Sequence, residues 1–206
     1  GQIDKGLRLL DQALPLVQGL ERWTEAAVRQ SLGDLHLAQG DVDTAAPHLL
    51  AALALRRETL HVQQVLMSAQ SVALLELQRG RPGEARPLLV EAVRACDRHG
   101  YGQLDALSLA ATGAWALMTG HDEAGARLLA RGQAGLAGTP IGARPHVARM
   151  LAEAAATAQA RLGPERAVAS AAAGALLASG AAFALAQALL GPPTAGAVAT
   201  AEPRAA

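Results

Sequence analysis

Aromatic side chains account for only 2% of the 206 residues: two Trp, one Tyr and one Phe. β-branched residues are also few. Sheets draw on both kinds, so an all-β sandwich and a parallel α/β sheet are disfavoured. A single cysteine, Cys96, excludes an internal disulfide framework and fits a reducing compartment, so a cytoplasmic location is expected. The 18 basic and 18 acidic side chains leave no formal net charge and form no basic block, which argues against direct nucleic-acid binding. Lysine occurs once, at Lys5, and there is no Gly-x-x-x-x-Gly-Lys-Ser/Thr loop to cradle a phosphate. Nor is there a Gly-x-Ser-x-Gly elbow to present a nucleophile. His36, His48, His61, His99, His121 and His146 are scattered without His-x-x-x-His spacing, and Cys96 has no cysteine partner for zinc. From these absences no catalytic residue, metal ligand set or cofactor is expected.

What the chain does contain is Ala and Leu in quantity, with Gln and Arg, all good helix formers. The uncharged run Ala167 to Leu190 is 24 residues long, enough to cross a bilayer. It is mostly Ala, broken by Gly174 and Gly180 and polar at Ser170, Ser179 and Gln187, with no Trp/Tyr belt. Ala and Gly transfer only weakly into hydrocarbon, so two Ala-rich helices parted near Gly180 are expected instead of a membrane span. The N-terminal residues enter an amphipathic pattern at once, without an initiator Met or a signal-peptide apolar stretch, and read as cut from a longer chain. Residues 191–206, rich in Ala, Gly, Pro and Thr, lack periodicity and read as a disordered tail.

A 40-residue repeat organises what lies between. Leu37-Ala38-Gln39-Gly40, Leu77-Gln78-Arg79-Gly80 and Leu117-Met118-Thr119-Gly120 follow one another at intervals of 40 residues. The register extends back to Gly33, Ala73 and Gly113. It extends forward to Ala45, Ala85 and Gly125, to Leu49, Leu89 and Leu129, and to Ala52, Ala92 and Gly132. Gly1, Gly6, Leu10 and Ala13 fit the second half of an earlier unit, and Gly163 begins the turn of a looser later one.

Each unit reads as two helices joined at the glycine. The A helices run from Trp23 to Gln39, Leu60 to Arg79 and Gly102 to Thr119; the B helices run from Thr44 to Thr59, Gly83 to His99 and Glu123 to Leu136. A left-handed glycine ends each A helix, and Asp41, Asp43 or Asp122 can cap the next. Small residues at Gly33, Ala73 and Gly113 let A approach B closely. The expected fold is all-α, an α-α superhelix of antiparallel helix pairs. Its units are residues 1–20 (second helix of a truncated repeat), 21–59, 60–100 and 101–139, then 140–190 as a degenerate fourth repeat with capping helices.

The run Leu32-Gly33-Asp34-Leu35-His36-Leu37-Ala38-Gln39-Gly40-Asp41-Val42-Asp43-Thr44-Ala45, continued by Leu49 and Ala52, resembles a tetratricopeptide repeat. Ala73, Gly80, Ala85, Leu89 and Ala92 match in the second unit, while the third has Gly125 and Gly132 where Ala is usual. The period exceeds the 34 residues of that family, and Glu76, Ala116 and Gln159 stand where an aromatic is common. With Glu21-Arg22-Trp23 ahead and Leu162-Gly163-Pro164-Glu165 near the end, the array is similar to the C-terminal helical arrays of large bacterial signalling ATPases. These are LuxR-type and antibiotic-regulatory-type transcription activators and ATPase-linked nucleotide cyclases. The resemblance implies a right-handed superhelix whose A helices line a concave groove that holds a partner. The groove positions it implies include Gln30, Asp34, Met67, Gln70, Leu74, Gln78, Met118, Met150 and Glu153.

That groove is apolar and amide-bearing, unlike the basic carboxylate clamp of chaperone-binding members, and suits an amphipathic helix or an apolar effector. Packing of Met and Leu within the array is the alternative. His36 holds a place where the family often has Tyr and reads as a hydrogen-bonded packing residue. Cys96 reads as a small buried side chain. His121-Asp122-Glu123 reads as a solvated helix cap, and Glu76 as a carboxylate turned to solvent. The expected function is a non-enzymatic sensor or regulatory array of a larger bacterial signalling or transcription-regulatory protein. Its partner is a protein or peptide segment, another domain of the same polypeptide or a small effector. The alternative is a structural spacer or a homodimerisation module without a ligand.

Overall fold

The computed structural model describes residues 1–59 and 61–192, and these form ten α-helices without a strand. They are α1 (Gln2–Val17), α2 (Arg22–Gln39), α3 (Val42–Thr59), α4 (Val62–Gln78), α5 (Pro82–His99), α6 (Gln103–Met118), α7 (Asp122–Leu136), α8 (Pro145–Leu162), α9 (Pro164–Ala175) and α10 (Ser179–Leu190). The glycine-marked units are the pairs α2/α3, α4/α5 and α6/α7, with ends within two residues of the sequence expectation. Leu60, expected to open an A helix, and residues 193–206 of the expected tail lie outside the described residues.

The turns follow from their residues. Gly40 ends α2 at φ 85°, in the left-handed region that a side chain disfavours, and its N–H returns to the carbonyls of His36 and Leu37. Asp41 Oδ1 then accepts the N–H of Thr44 at 3.1 Å and starts α3. Each B helix packs back on its own A helix and against the A helix of the next unit. A Cβ on Gly33 would lie 2.4 Å from Leu49 Cγ, so this position admits no larger residue without repacking. In the third unit the approach is backbone to backbone. A Cβ on Gly113 would lie 2.5 Å from the Leu129 nitrogen, and one on Gly132 would lie 2.5 Å from the Ala110 nitrogen. The two glycines that break the Ala pattern, Gly125 and Gly132, are therefore what let α6 and α7 touch.

One apolar core runs through the second and third units and the C-terminal helices, with Leu66, Leu74, Leu89, Leu109, Leu117 and Leu128 fully buried. A smaller one joins α2, α3 and α4 through Leu37, Leu49, Leu53, Val65 and Leu75. α1 packs on α2 without fully burying any residue, and Leu9 and Leu16 on it are exposed.

Past residue 140 the stack is not extended by a fourth unit. α8 packs on α2, α4 and α6 as well as α7, so it lies across the A-helix face. The buried stripe Val147, Met150, Ala154 and Ala158 recurs at helical spacing, and its small members let α8 settle close to the helices beneath. α9 packs against α7 and α8, and α10 against α5, α6 and α7. Arg131 donates to the Leu177 carbonyl at 2.9 Å and Arg86 to the Leu190 carbonyl at 2.8 Å, which ties both ends of α10 down. The break between the Ala-rich helices falls at residues 176–178, just ahead of Gly180, and among the described residues no helix is long and apolar enough to cross a membrane.

Candidate functional site

The nine groove residues lie on α2, α4, α6 and α8, and α8 covers the floor that the other three helices form. Leu74 and Met150 are buried in the main core, and Met67 packs against it half-buried. Gln70 is buried, its Nε2 donating at 2.7 Å to both the Leu104 carbonyl and Ser108 Oγ, while its Oε1 has no partner. Gln78 is half-buried, and Met118 and Glu153 face outward. The expectation that Met150 and Glu153 continue the groove wall is corrected: α8 is the groove's filling, with Met150 pointing into it and Glu153 away. Gln30, Gln70, Leu74 and Met150 are engaged internally and offer no surface to a partner in this arrangement.

Gln30 and Asp34 belong to a buried polar chain that crosses four elements. Arg56 of α3 donates to Ser68 Oγ at 2.9 Å and to the Gln64 carbonyl at 3.2 Å. Ser68 Oγ donates to Gln30 Oε1 at 2.7 Å. Gln30 Nε2 passes the chain to Ser71 Oγ at 2.8 Å and to Asp34 Oδ1 at 3.0 Å. Arg144, at the start of α8, closes it with Asp34 Oδ2 at 3.4 Å. Burial holds the Arg56 guanidinium below its ordinary value, opposed by the charge of Asp34. His146, also buried, is held toward its neutral form by loss of water, while Asp34 pulls the other way. A void of about 20 Å³ remains between Gln30, Asp34, Gln70, Ser71 and Arg144, the size of about one water molecule. A larger open hollow of about 560 Å³ at the α7–α8 connection is lined by Gln133, Leu136, Thr139, Pro140 and Leu151 and presents no titratable side chain.

Two arginines of α8 anchor it to helix ends. Arg149 donates to the carbonyls of Leu37 at 2.7 Å and Ala38 at 3.4 Å, at the C-terminus of α2. Arg161 donates to the Leu117 carbonyl at the C-terminus of α6 and to Asp122 Oδ1 at 3.1 Å. These ends carry carbonyls with a lone pair to spare beyond the capping N–H of Gly40 or Gly120, and the negative pole of the helix, so a guanidinium is well placed there. The family resemblance also counts Arg161 among the groove positions, whereas sequence reasoning did not single out Arg149. The only signal of Arg149 was its spacing from Arg161 on an otherwise Ala-rich helix.

The remaining candidates settle into structural roles. Asp122 accepts from Arg161, and Glu123 accepts from Arg166 of α9, which holds its carboxyl below the usual range. His121 starts α7 without a side-chain cap hydrogen bond, and the two carboxylates after it serve to anchor the C-terminal helices. Glu76 does not face solvent; it is buried, with Arg81 Nε 2.7 Å away and Arg79 at 3.7 Å, because both arginines of the following turn fold back over it. His36 faces its partner helix as expected, but it stacks on His48 with ring centroids 6.0 Å apart and its Nδ1 forms no hydrogen bond. Cys96 is buried 3.4 Å from Ser108 Oγ, and burial pushes its thiol up to about 12. Among the described residues no group of three or more His, Cys, Asp or Glu is arranged to hold a metal ion. No protein-family model, curated protein or solved structure matches the chain.

Proposed function

We propose that this chain is a non-enzymatic interaction array in which α8 sits in the A-helix groove as a built-in occupant and gives way to a partner segment. The observation that carries this reading is the seat itself. α8 touches the first, second and third units at once, yet its fully buried side chains are only His146, Val147, Met150, Ala154 and Ala158. Of these only Val147 and Met150 are large apolar groups, and burying one contributes about 1.5–3 kcal/mol. Leu151, Ala155 and Leu162 add only half-buried apolar contact, and the remainder is polar and reaches water at its edges. In a larger bacterial signalling or transcription-regulatory protein, exchange of α8 for a partner would report binding as a change in the position of α9 and α10, which continue the same chain.

Hydrogen exchange tests this. Amides of α8 are expected to exchange through an opening at least about 2 kcal/mol easier than that of α4 and α6. Equal protection in all three helices rejects the reading and leaves a packed scaffold. A second reading, a module that pairs copies of itself, is favoured by the exposed Leu9, Leu16 and Trp23 on α1 and α2. Sedimentation at increasing concentration distinguishes it, because a Leu16→Lys chain would then stay monomeric where the unsubstituted chain associates.

A further inference from the structure

We infer that the partner segment is an amphipathic helix that carries two arginines twelve residues apart beside a stripe of small apolar side chains. The inference rests on the groove reading above and adds the chemistry that would be recognised there. The two anchors of α8 are Arg149, at the end of α2, and Arg161, at the end of α6. Twelve residues of helix rise about 18 Å. Packed helices stand roughly 8–10 Å apart, so two A helices with a third between them have ends roughly 16–20 Å apart. The arginine spacing therefore matches the spacing of alternate units.

The intervening end, that of α4, asks for no arginine from the occupant. Arg79 and Arg81 already lie over it, paired to Glu76. The occupant's residue midway between its anchors is Ala155, half-buried against the core. The receiving side is also shaped for guanidinium. Gly40 leaves room where a Cβ would stand 3.3 Å from Arg149 Nη1, and one Arg149 nitrogen reaches both the Leu37 and Ala38 carbonyls. A lysine ammonium is a point charge without that planar reach. Along the floor the occupant buries the small side chains of Ala154 and Ala158, with Val147 and Met150 toward the start. The groove thus selects by two arginines in register and by smallness between them.

The test uses the full chain carrying Arg149→Gln and Arg161→Gln in its own α8, so that the seat is intact and its occupant weakened. The probes are three labelled synthetic peptides: residues 144–162 unchanged, the same with both arginines replaced by Gln, and the same with the second arginine moved three residues nearer the first. The unchanged peptide is expected to bind at least tenfold more tightly than either other and to speed exchange in the host's α8. Equal binding of all three overturns the arginine inference and leaves the groove reading standing. No binding by any peptide overturns both. A dimer of the host that only the unchanged peptide dissolves is the same contact made between copies and supports the inference; one that persists at saturating unchanged peptide counts against it. If the doubly substituted chain loses its cooperative melt, the Arg149→Gln chain becomes the host, and the same ranking is required.

Discussion

Arg149 and Leu37 are 112 residues apart in the chain and joined by a 2.7 Å hydrogen bond from guanidinium to carbonyl. This contact binds α8 to the first unit and bypasses the second and third. Replacing Arg149 by Gln should cost about 1 kcal/mol of stability, the lower range for a charged hydrogen bond that is part-exposed. The loss should fall on α8. Hydrogen exchange would show protection falling in α8 while α4 and α6 keep theirs.

Glycines in the third unit should be intolerant where the backbones meet. Gly113→Ala places a Cβ 2.5 Å from the Leu129 nitrogen and should destabilise by about 2–3 kcal/mol or more, because backbone cannot rotate aside. Gly83→Ala is the contrast: it lies in the first turn of α5 with nothing within 4 Å of the new methyl, and should stabilise by about 0.5–1 kcal/mol. Urea midpoints of the two variants should move in opposite directions.

Acid should weaken the fold through His146 and His48. Burial comes first among the causes that lower both; the Arg144 and Arg149 charges add to it at His146, and His36 and Arg29 at His48, while Asp34 and Asp11 oppose at the two sites. The unfolded chain therefore takes up these protons first. Stability is complete above the unfolded value near 6.5 and falls as pH drops from there toward the lowered folded values. The slope reaches at most about 1.4 kcal/mol per pH unit for each histidine. Urea midpoints between pH 7.5 and 5 should show it, with a shallower decline in His146→Gln.

Cys96 should be silent toward thiol reagents in the folded chain at pH 7, since it is buried and its thiol is pushed up to about 12. It should label fully in urea. The labelling rate then reports opening of the α5–α6 contact, and prompt labelling of the native chain would contradict the burial.

The helices were legible in the sequence because their signals are local. Gly40, Gly80 and Gly120 mark turns by backbone conformation, and the spacing of Leu49, Leu89 and Leu129 marks a face. Which way the last helices go was not legible. It depends on partners more than 100 residues away, such as Leu37 for Arg149 and Leu190 for Arg86, and on carbonyls, which every residue carries and no sequence pattern displays. Glu76 was misjudged for a related reason: an acid where an aromatic is common suggested a side chain turned to solvent, whereas Arg79 and Arg81 enclose it. Nor could the sequence foresee that α8 would pack across the A helices that carry Gln30 and Asp34.

The position of α8 also fixes a number. A plain stack of helix pairs gains or loses a unit at little cost, since each touches only its neighbours. Here Arg149 and Arg161 span from the first A helix to the third, and α10 returns to α5. Duplicating the middle unit would carry the two helix ends apart by roughly another 8–10 Å and leave one arginine without its carbonyl. Three units and their helical brace form a closed count, and length variation is confined to sequence added outside it.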